Sequence, residues 1–418
     1  MSAAGRAPGA VDSGGALKDE VRARVEAASA RILGVSHALH AAPEVAWREH
    51  RSAELIVAAL EEAGLTVETG SAGLPTAFVA TAGAGPRTAA VIAEYDALAG
   101  LGHACGHNII SAAAVGAAIA LAPVADELGL TVRVIGTPAE EGGGGKIVML
   151  ERGVFEGVDL AMMVHPGPDD AAWARPRAVA HFDVEYTGVE SHASAYPQLG
   201  VNAADAFTVA QTAIGLLRQQ LPDGVRVHGI VREAGTAPNA IPAMALGSWY
   251  VRADDLEQLD ALFPRVAACF EAGALATGCT MRLEETSGRY AEFRNDAPLL
   301  GAFAENAAAL GRDMDLAEKK PAGMNTASTD MGNVSRLVRS IHPYLGIDSA
   351  PAVNHQAAFA AAAATPAADR AALDGAILMA QTIIDDALAH LPARAIDGAS
   401  TSTSTSTASV PNSEEQSA

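Results

Sequence analysis

At 418 residues, the chain exceeds the ~250 to 300 residues at which one hydrophobic core stops growing, so we expect two domains. Half of its residues are hydrophobic and only 18% are charged, which excludes a disordered or fibrous chain. The formal net charge of −21 argues against a nucleic-acid partner, because phosphate binding needs clustered Lys and Arg.

The cysteine count and the N-terminus bear on the compartment. Cys105, Cys269 and Cys279 are too few and too irregularly spaced for the disulfide framework of a secreted protein. Residues 1–17 contain no basic segment followed by an apolar stretch, so no signal peptide is expected. No uninterrupted apolar run reaches the ~18 residues of a membrane span, so we expect no membrane association. These features favour a cytoplasmic protein.

The predicted elements begin after a start that we expect to be disordered, residues 1–17, which are rich in Ala, Gly and Ser. Residues 21–63 have helical periodicity, with an interruption at Pro43. Short β-branched runs then alternate with helical segments; the predicted strands are 76–82, 87–93, 130–136 and 159–164, and the predicted helices are 108–122 and 146–152. This alternation predicts an α/β fold, a mixed sheet with several parallel strands sandwiched by helices.

The pattern changes near residue 178. The elements that follow are a strand at 179–187, a helix at 203–219, strands at 225–232 and 244–252, a helix at 255–274 and a strand at 279–285. This β-α-β-β-α-β order is the ferredoxin-like unit. We therefore expect an inserted ferredoxin-like α+β domain at 179–290. It interrupts a sheet domain made of 18–178 and 291–394, and a disordered low-complexity tail follows at 395–418.

The segment after the strand at 87–93 carries a thiol and an imidazole two residues apart. Cys105 and His107 flank a glycine in a loop that leads into a predicted helix, so both side chains can converge on one cation. A buried cysteine and a helix-capping histidine are the alternative interpretation of this pair alone.

The next strand is followed by adjacent carboxylates, Glu140 and Glu141, at the start of a helix. Adjacent side chains point in different directions, so one can bind a metal while the other faces a substrate. The alternative is a charged helix start favoured by the helix dipole. A phosphate-binding loop fits poorly, because Glu140 stands where its first glycine belongs and Ile147 follows the lysine.

A third strand end carries His165, so sulfur, nitrogen and oxygen donors follow three successive strands. Ligand sites in open α/β sheets lie beyond the carboxyl ends of the strands, and we infer a metal site there. Late in the chain, His355 follows the apolar run 341–347 and is a further candidate ligand. His342, inside that run, is the competing candidate.

The motifs together resemble the co-catalytic metallopeptidase family of aminoacylases, carboxypeptidases and amidohydrolases, closest to its branch of β-alanyl-lysine type dipeptidase and p-aminobenzoyl-glutamate hydrolase. The resemblance runs from about residue 30 to 390 and rests on EYDAL, GHACGHN, GTPAEEGGGGK, HPG, SHASAYPQLGVNAADA, VHGIV, APNAIP, ALATGCT, STDMGNVS and NHQAAF in this order. It implies a metal-dependent amidohydrolase or dipeptidase, with a lid and dimerisation domain at 179–290.

The resemblance implies a role for each matched residue. Five match metal ligands of two divalent ions: Cys105, His107, Glu141, His165 and His355. Zinc fits this set, and cobalt, nickel or manganese can also occupy it. Cys105 or a water would bridge the ions. Glu140 matches the general base, and Asp96 matches an acidic position that supports a ligand rather than binding metal.

The inserted domain matches further functional positions of the family. His192 matches a histidine that reaches the reacting carbonyl, commonly from the partner subunit, so a homodimer is implied. Asn239 matches a residue near the substrate carboxylate or the oxyanion, and with Arg232 or Arg252 it would hold the free carboxylate of a dipeptide or N-acyl amino acid. A turn role for Asn239 and a surface role for Arg252 are the alternatives. Within the matched motifs, Ala99 replaces a usual proline and Asn108 replaces a usual acidic residue.

Two other functions stay open from the residues alone. Cys105 can be the nucleophile of a cysteine hydrolase with His107 or His103 as its base, although this leaves Glu140, Glu141 and His165 without a role. A metal-stabilised binding protein without turnover is the second alternative. Among substrates, the acidic net charge favours a basic side chain such as Lys or ornithine.

Overall fold

The structure of the protein is a computed structural model that describes residues 8–314, 316, 324 and 327–391. Its helices are α1 (Pro8–Ala27), α2 (Ser29–Ala41), α3 (His50–Glu62), α4 (His107–Leu121), α5 (Gly145–Glu151), α6 (Ala203–Leu217), α7 (Leu256–Thr277), α8 (Ala297–Ala309), α9 (Met331–Ser335), α10 (Ala357–Ala362) and α11 (Pro366–His390). Its strands are β1 (Thr66–Thr69), β2 (Phe78–Ala82), β3 (Arg87–Glu94), β4 (Leu130–Thr137), β5 (Leu160–Met162), β6 (His165–Gly167), β7 (Ala178–Thr187), β8 (Ser191–His192), β9 (Arg226–Glu233), β10 (Ala240–Ile241), β11 (Met244–Ala253), β12 (Thr280–Glu285), β13 (Arg339–Ile341) and β14 (Tyr344–Gly346).

A mixed six-stranded sheet forms the larger layer, in the order β1-β2-β4-β3-β5-β13. Strands β4, β3, β5 and β13 are parallel, whereas β1 and β2 pair antiparallel at one edge. Strand β3 is buried along nearly its whole length because helices cover both of its faces. The predicted mixed sheet with several parallel strands is confirmed. The parallel strands all have their carboxyl ends on the same side of the sheet.

Alanine-rich helices pack on the sheet. Helix α4 is buried almost throughout and lies between β3 and helices α2 and α11. Its small side chains permit this close approach: a Cβ on Gly116 would lie 2.7 Å from the Cβ of Ala376 in α11. The window His107–Val124 has the length and hydropathy of a membrane span, although no uninterrupted apolar run is that long. It is 83% buried here, as expected for the central helix of a core.

The N-terminal segment differs from the prediction. Helix α1 begins at Pro8, inside the segment 1–17 that we expected to be disordered. Leu17, Val21 and Val25 recur every four residues and are buried in the main core, in which α1 packs against α11 and α4. The apolar face of α1 therefore begins at Leu17, before residue 21 where we predicted the first helix to begin, although the surrounding residues are mostly small. Residues 1–7 and the predicted tail 395–418 lie outside the described residues.

The smaller layer is an antiparallel four-stranded sheet in the order β12-β7-β11-β9. With α6 following β7 and α7 following β11, this is the predicted ferredoxin-like unit. Helices α6 and α7 cover one face and form a second core with it. The opposite face carries polar residues, among them His181 and Arg252. The domain limits 179 and 290 stay predictions.

The predicted strand at 159–164 is observed as β5, which ends at Met162, and a further short strand, β6, begins at His165; β13 and β14 are interrupted in the same way at the late apolar run. The two breaks lie side by side, because β5 pairs with β13 and β6 with β14, both in parallel. Pro343 has no N–H to donate, which interrupts the ladder between the two pairs. The break carries His165 and His342 out of the main sheet.

Candidate metal centre

Donors from successive strand ends meet in one cavity of about 380 Å³. Cys105 follows β3, Glu140 and Glu141 follow β4, and His165 begins β6; all of these residues line the cavity. His355 joins them from the segment after β14. Strands β3, β4 and β5 are parallel and end at the same side of the sheet, and His165 follows β5, which is why Cys105 and His165, 60 positions apart, become neighbours.

A glycine places the thiol and the imidazole. Gly106 has φ of 82°, a left-handed conformation that a residue with a Cβ adopts only at a cost. A Cβ at this position would also lie 2.4 Å from Cγ of Pro166, so the chain after β3 packs directly on the strand that carries His165. The Cys105 Sγ atom consequently lies 3.6 Å from Nε2 of His165.

Asp96 orients two of the donors without entering the cavity lining. Its Oδ1 lies 3.0 Å from Nδ1 of His107, and its Oδ2 accepts the backbone N–H of Glu141 at 2.9 Å. A histidine that donates through Nδ1 presents the lone pair of Nε2, the arrangement usual for a metal ligand. The position agrees with the supporting role that the resemblance implies for Asp96.

The adjacent glutamates face different neighbours. Glu141 places Oε2 at 3.6 Å from Nε2 of His355 and Oε1 at 3.8 Å from Nε2 of His107. Glu140 places Oε2 at 3.9 Å from the same His107 atom. His355 is fixed by its backbone, whose N–H donates to the Ala104 carbonyl at 2.8 Å.

In the described part of the chain, three groups of donor atoms are compact enough to hold an ion. Their atoms lie within 4.8 Å of one another, and the groups are Cys105 with His107 and His165, Cys105 with Glu141 and His355, and Glu94 with His107 and Glu140. Among the described residues, the buried atoms His107 Nε2 and Glu141 Oε1 have no hydrogen-bond partner. A buried polar atom needs such a partner, and a cation satisfies both. The residues present therefore fit a metal centre.

Burial sets the protonation of the donors. It lowers the pKa of His165 to about 3, with His342 and His107 adding to the effect, so this imidazole is neutral and has a free lone pair. Burial, then repulsion from Glu94 and Glu141, raises the pKa of Glu140 well above its ordinary value. Burial and Glu141 raise the pKa of the Cys105 thiol, which makes a free thiolate unfavourable unless a cation compensates it.

An ion-paired lysine beneath the site was not predicted. Lys146 is completely buried, and its Nζ lies 2.6 Å from Glu94 Oε1 and 2.7 Å from Asp330 Oδ1. Burial acts to raise the pKa of Glu94, but Lys146 and the nearby histidines lower it to about 2. Glu94 Oε2 faces His107 Nε2 at 3.6 Å. The sequence signal was present, since Glu94 opens the EYDAL motif and Lys146 closes the glycine-rich one.

His342, the competing candidate ligand, also lies beside these donors. Of the two histidines, however, only His355 belongs to one of the three donor groups. The His342 ring stacks on that of His165 with centroids 5.4 Å apart, and it lines the same cavity. Burial lowers the pKa of His342 to about 4. Among the described residues, neither of its ring nitrogens has a hydrogen-bond partner. The structure thus places both histidines at the cavity.

The polar face of the four-stranded sheet supplies the opposite wall. Arg252 lines the cavity with His181, His228 and Tyr250. Its Nη1 donates to Oγ of Ser328 at 2.6 Å, which connects the smaller sheet to a loop of the larger layer. The wall facing the glutamates is therefore rich in hydrogen-bond donors and carries a guanidinium.

Three of the site residues predicted in the inserted domain, unlike Arg252, are not in the cavity lining. Arg232 is exposed and pairs with Asp183 at 2.8 Å, and Asn239 is exposed on the loop before β10. His192 is also exposed, and its Nδ1 accepts the N–H of Ala195 at 3.1 Å. Their roles stay predictions.

The chain matches the model of peptidase family M20/M25/M40 over residues 86–371. It is 40% identical over 384 residues to the Xaa-Arg dipeptidase of Mus musculus, covering 88% of each chain. It is 35% identical over 279 residues to one chain of the p-aminobenzoyl-glutamate hydrolase of Escherichia coli, covering 62% of this chain and 58% of that protein.

Among solved structures, the fold is similar to a Bacillus subtilis protein described as a dinuclear metal binding peptidase from the M20 family. The TM-score is 0.63 at 24% identity, and the match covers 86% of this chain and 99% of the other.

Proposed function

The chain belongs to peptidase family M20/M25/M40 and is a hydrolase of that family, and from this premise we propose its reaction. It hydrolyses the amide bond of a dipeptide or N-acyl amino acid that has a free carboxylate. The observation that carries the proposal is the convergence of Cys105, His107, Glu141, His165 and His355, with Glu140 beside them, opposite the guanidinium of Arg252.

Cys105, His107, Glu141, His165 and His355 would hold two divalent ions, for which we propose zinc, with cobalt, nickel or manganese as substitutes. Ions bound there supply a polarised carbonyl and a water of lowered pKa. Asp96 keeps His107 in the tautomer that exposes Nε2, and its second oxygen fixes the backbone of Glu141.

Glu140 is the proposed general base. It accepts a proton from the attacking water and returns it to the leaving nitrogen. Burial, with repulsion from Glu94 and Glu141, raises the pKa of this carboxyl, which favours its uptake of a proton. Both glutamates lie near His107, but only Glu141 also faces His355, and we therefore assign metal binding to Glu141 and proton transfer to Glu140.

Arg252 is the proposed carboxylate anchor. Its guanidinium lies in the cavity, and its hydrogen bonds to Ser328 and His228 use the Nη1 and Nε atoms. A guanidinium can bind a carboxylate through two parallel hydrogen bonds. Arg232 is the alternative that the sequence left open, but it is paired with Asp183 outside the cavity lining.

For the substrate side chain we propose a basic residue at the C-terminal position. The name of the mouse relative, Xaa-Arg dipeptidase, supports this class, and that relative matches far more of the chain than the p-aminobenzoyl-glutamate hydrolase does. Lysine, ornithine and arginine belong to the class. The proposal further includes a homodimeric assembly and a cytoplasmic location.

The test compares β-alanyl-lysine, a dipeptide ending in arginine, and p-aminobenzoyl-glutamate, each as free acid and as C-terminal amide. We expect the basic dipeptides to have the higher kcat/KM, and the amides to be poor substrates. In Arg252→Ala, KM for the acids should rise by roughly 10- to 100-fold, the worth of a charged hydrogen-bonded pair.

Arg232→Ala is the matched control, because it removes a guanidinium from the neighbouring strand of the same sheet, and it should leave KM unchanged. Equal rates for acids and amides would exclude carboxylate recognition. A preference for p-aminobenzoyl-glutamate would reverse the proposed side-chain class.

A cysteine hydrolase is disfavoured by the environment of Cys105. Its thiol pKa is raised, whereas a nucleophilic cysteine needs a lowered one. Removal of metal with a chelator separates the two mechanisms, since the proposed hydrolase should lose its activity and regain it with added zinc. Undiminished turnover after complete metal removal would instead indicate a thiol nucleophile.

A further inference from the structure

The turn before Glu140 contains a residue in an unfavourable backbone conformation. Ala139 has φ of 58°, in the left-handed region, which costs a residue with a Cβ ~1 kcal/mol or more. Its carbonyl accepts the N–H groups of Gly143 and Gly144 at 3.0 and 2.9 Å. The chain reverses at Ala139, so the conformation of this one residue sets where the next one, Glu140, points.

A buried carboxylate from a distant segment contacts this turn. Glu49, just before α3, has no exposed surface. Its Oε1 accepts the backbone N–H groups of Ala139 and Trp47, both at 2.9 Å, and its Oε2 accepts the hydroxyl of Thr76 at 3.1 Å. Hydrogen bonds to a charged acceptor are among the stronger ones, and they are directional.

Trp47 reinforces the same contact. It also has a positive φ, 65°, and its indole covers the turn so closely that a Cβ on Gly143 would lie 2.4 Å from Trp47 Nε1. Glu49 therefore joins two left-handed residues, Trp47 and Ala139, and the second lies 90 positions away along the chain. Nothing in the proposed reaction uses this buried acid, and it is not part of the cavity lining.

We infer that Glu49 is a positioning residue that holds Ala139 in its left-handed conformation and thereby aims Glu140 at the reacting water. The inference rests on the proposed role of Glu140 as general base. Glu49 then affects the rate of the chemical step and takes no part in binding metal or substrate.

The first experiment measures kcat, KM and bound metal for Glu49→Gln. In this variant the amide oxygen can accept the N–H groups of Ala139 and Trp47 only as an uncharged acceptor, and the amide nitrogen cannot accept the Thr76 hydroxyl, so Ala139 is held less firmly. Misplacement of a catalytic group by ~1 Å can cost up to ~10²-fold. We expect kcat to fall roughly 10- to 100-fold, with KM and the content of two metal ions unchanged. A wild-type kcat, or a loss of metal in proportion to activity, would overturn the inference.

Glu44→Gln is the matched control. Glu44 lies in the same segment, and its Oε2 accepts the N–H and the hydroxyl of Ser52 at 2.7 and 2.8 Å, contacts that stay within that segment. Its replacement should lower the melting temperature with kcat unchanged. An equal loss of kcat in both variants would mean that Glu49 acts only through general stability.

The decisive test combines Glu49→Gln with Ala139→Gly. Glycine adopts a positive φ without strain, so a turn with glycine at this position depends less on the carboxylate. We expect Glu49→Gln to lower kcat by a much smaller factor in the Ala139→Gly background than in the wild-type background. If Glu49→Gln lowered kcat by the same factor with and without Ala139→Gly, Glu49 would not act through Ala139.

Two further variants keep the inference testable. If Glu49→Gln does not fold, Glu49→Asp retains the charge but shortens its reach to Ala139, and it should show the same selective loss of kcat. Glu140→Gln is measured in parallel. Full activity of Glu140→Gln would refute the proposed base, whereas its inactivity together with a fully active, folded Glu49 variant would refute the positioning role alone.

Discussion

The proposed reaction assigns different tasks to two adjacent side chains, Glu140 and Glu141. Glu141 is close to His107 and His355, both proposed ligands, and its backbone N–H is held by Asp96. Glu140 lies at a similar distance from His107, 3.9 Å, but has no contact with His355, and its own backbone carbonyl accepts the hydroxyl of Tyr290. The backbone of each residue is thus fixed by a different partner, which allows one carboxylate to bind metal and the other to move a proton.

The first prediction at this scale concerns the two glutamates. Glu140→Gln should retain both metal ions but lower turnover by ~10²-fold or more, the usual scale of lost general-base catalysis. Glu141→Gln should lower the metal content, because an amide is a weaker ligand than a carboxylate. Elemental analysis of both purified variants beside kcat measurements checks this. If Glu140→Gln contained no metal and Glu141→Gln contained both ions, the roles assigned to the two glutamates would have to be exchanged.

At the scale of elements, helix α4 starts where two strand ends meet. Gly106 is its N-cap in a left-handed conformation, and it packs against Pro166 beside His165. Small displacements of α4 therefore change the distance between Cys105 and His165, which belong to different strand ends. We therefore expect the contact between Gly106 and Pro166 to couple the position of α4 to the metal affinity of the proposed centre.

Substitution of Gly106 tests the coupling. In Gly106→Ala the new Cβ would meet Pro166 Cγ at 2.4 Å, so we expect lower metal affinity and a lower melting temperature. Gly100→Ala is the control, since Gly100 also has a positive φ, 74°, but no atom lies within 4 Å of its ideal Cβ position. Both variants suffer the same backbone strain. Equal metal affinities in the two would show that the packing at Pro166 has no influence on the centre.

At the scale of the whole molecule, one chain does not bring His192 to its own cavity. His192 is exposed on the small β8 strand, paired with β10, beside the exposed side chains of Tyr196 and Leu199. The exposed position of His192, for which we propose a catalytic role, is compatible with a shared site in a C2 dimer, in which each chain completes the other. This assembly is a proposal, and it requires residues 179–290 to form the contact.

Complementation checks the shared site. Chains carrying His192→Ala and chains carrying Glu140→Gln should each be inactive, whereas mixed dimers contain one site with both wild-type residues. We expect the mixture to regain up to half of the wild-type activity per mixed dimer. Absence of recovery in heterodimers verified by two affinity tags would place His192 and Glu140 of one chain in the same site, or remove His192 from the reaction.

The sequence predicted most of the fold because its signals are local. Alternating apolar strands and helices indicated the mixed sheet, and the β-α-β-β-α-β order indicated the second sheet. Parallel strands share an edge, so the donors after β3, β4 and β5 could be expected to meet. Helix α1 was predicted too short, because Leu17 belongs to an apolar stripe that its Gly- and Ala-rich surroundings obscure.

The charges buried under the site depend on contacts that the tertiary structure alone creates. Lys146 meets Asp330 across 184 positions, and Glu49 meets Ala139 across 90. A lone Lys or Glu in a sequence indicates a solvated surface, since burial of an unpaired charge is costly. The sequence determined which donor types follow which strands. Only the folded chain decided which of the buried charges neutralise one another. The partners are far apart along the chain, and no local sequence pattern indicates which residues will meet.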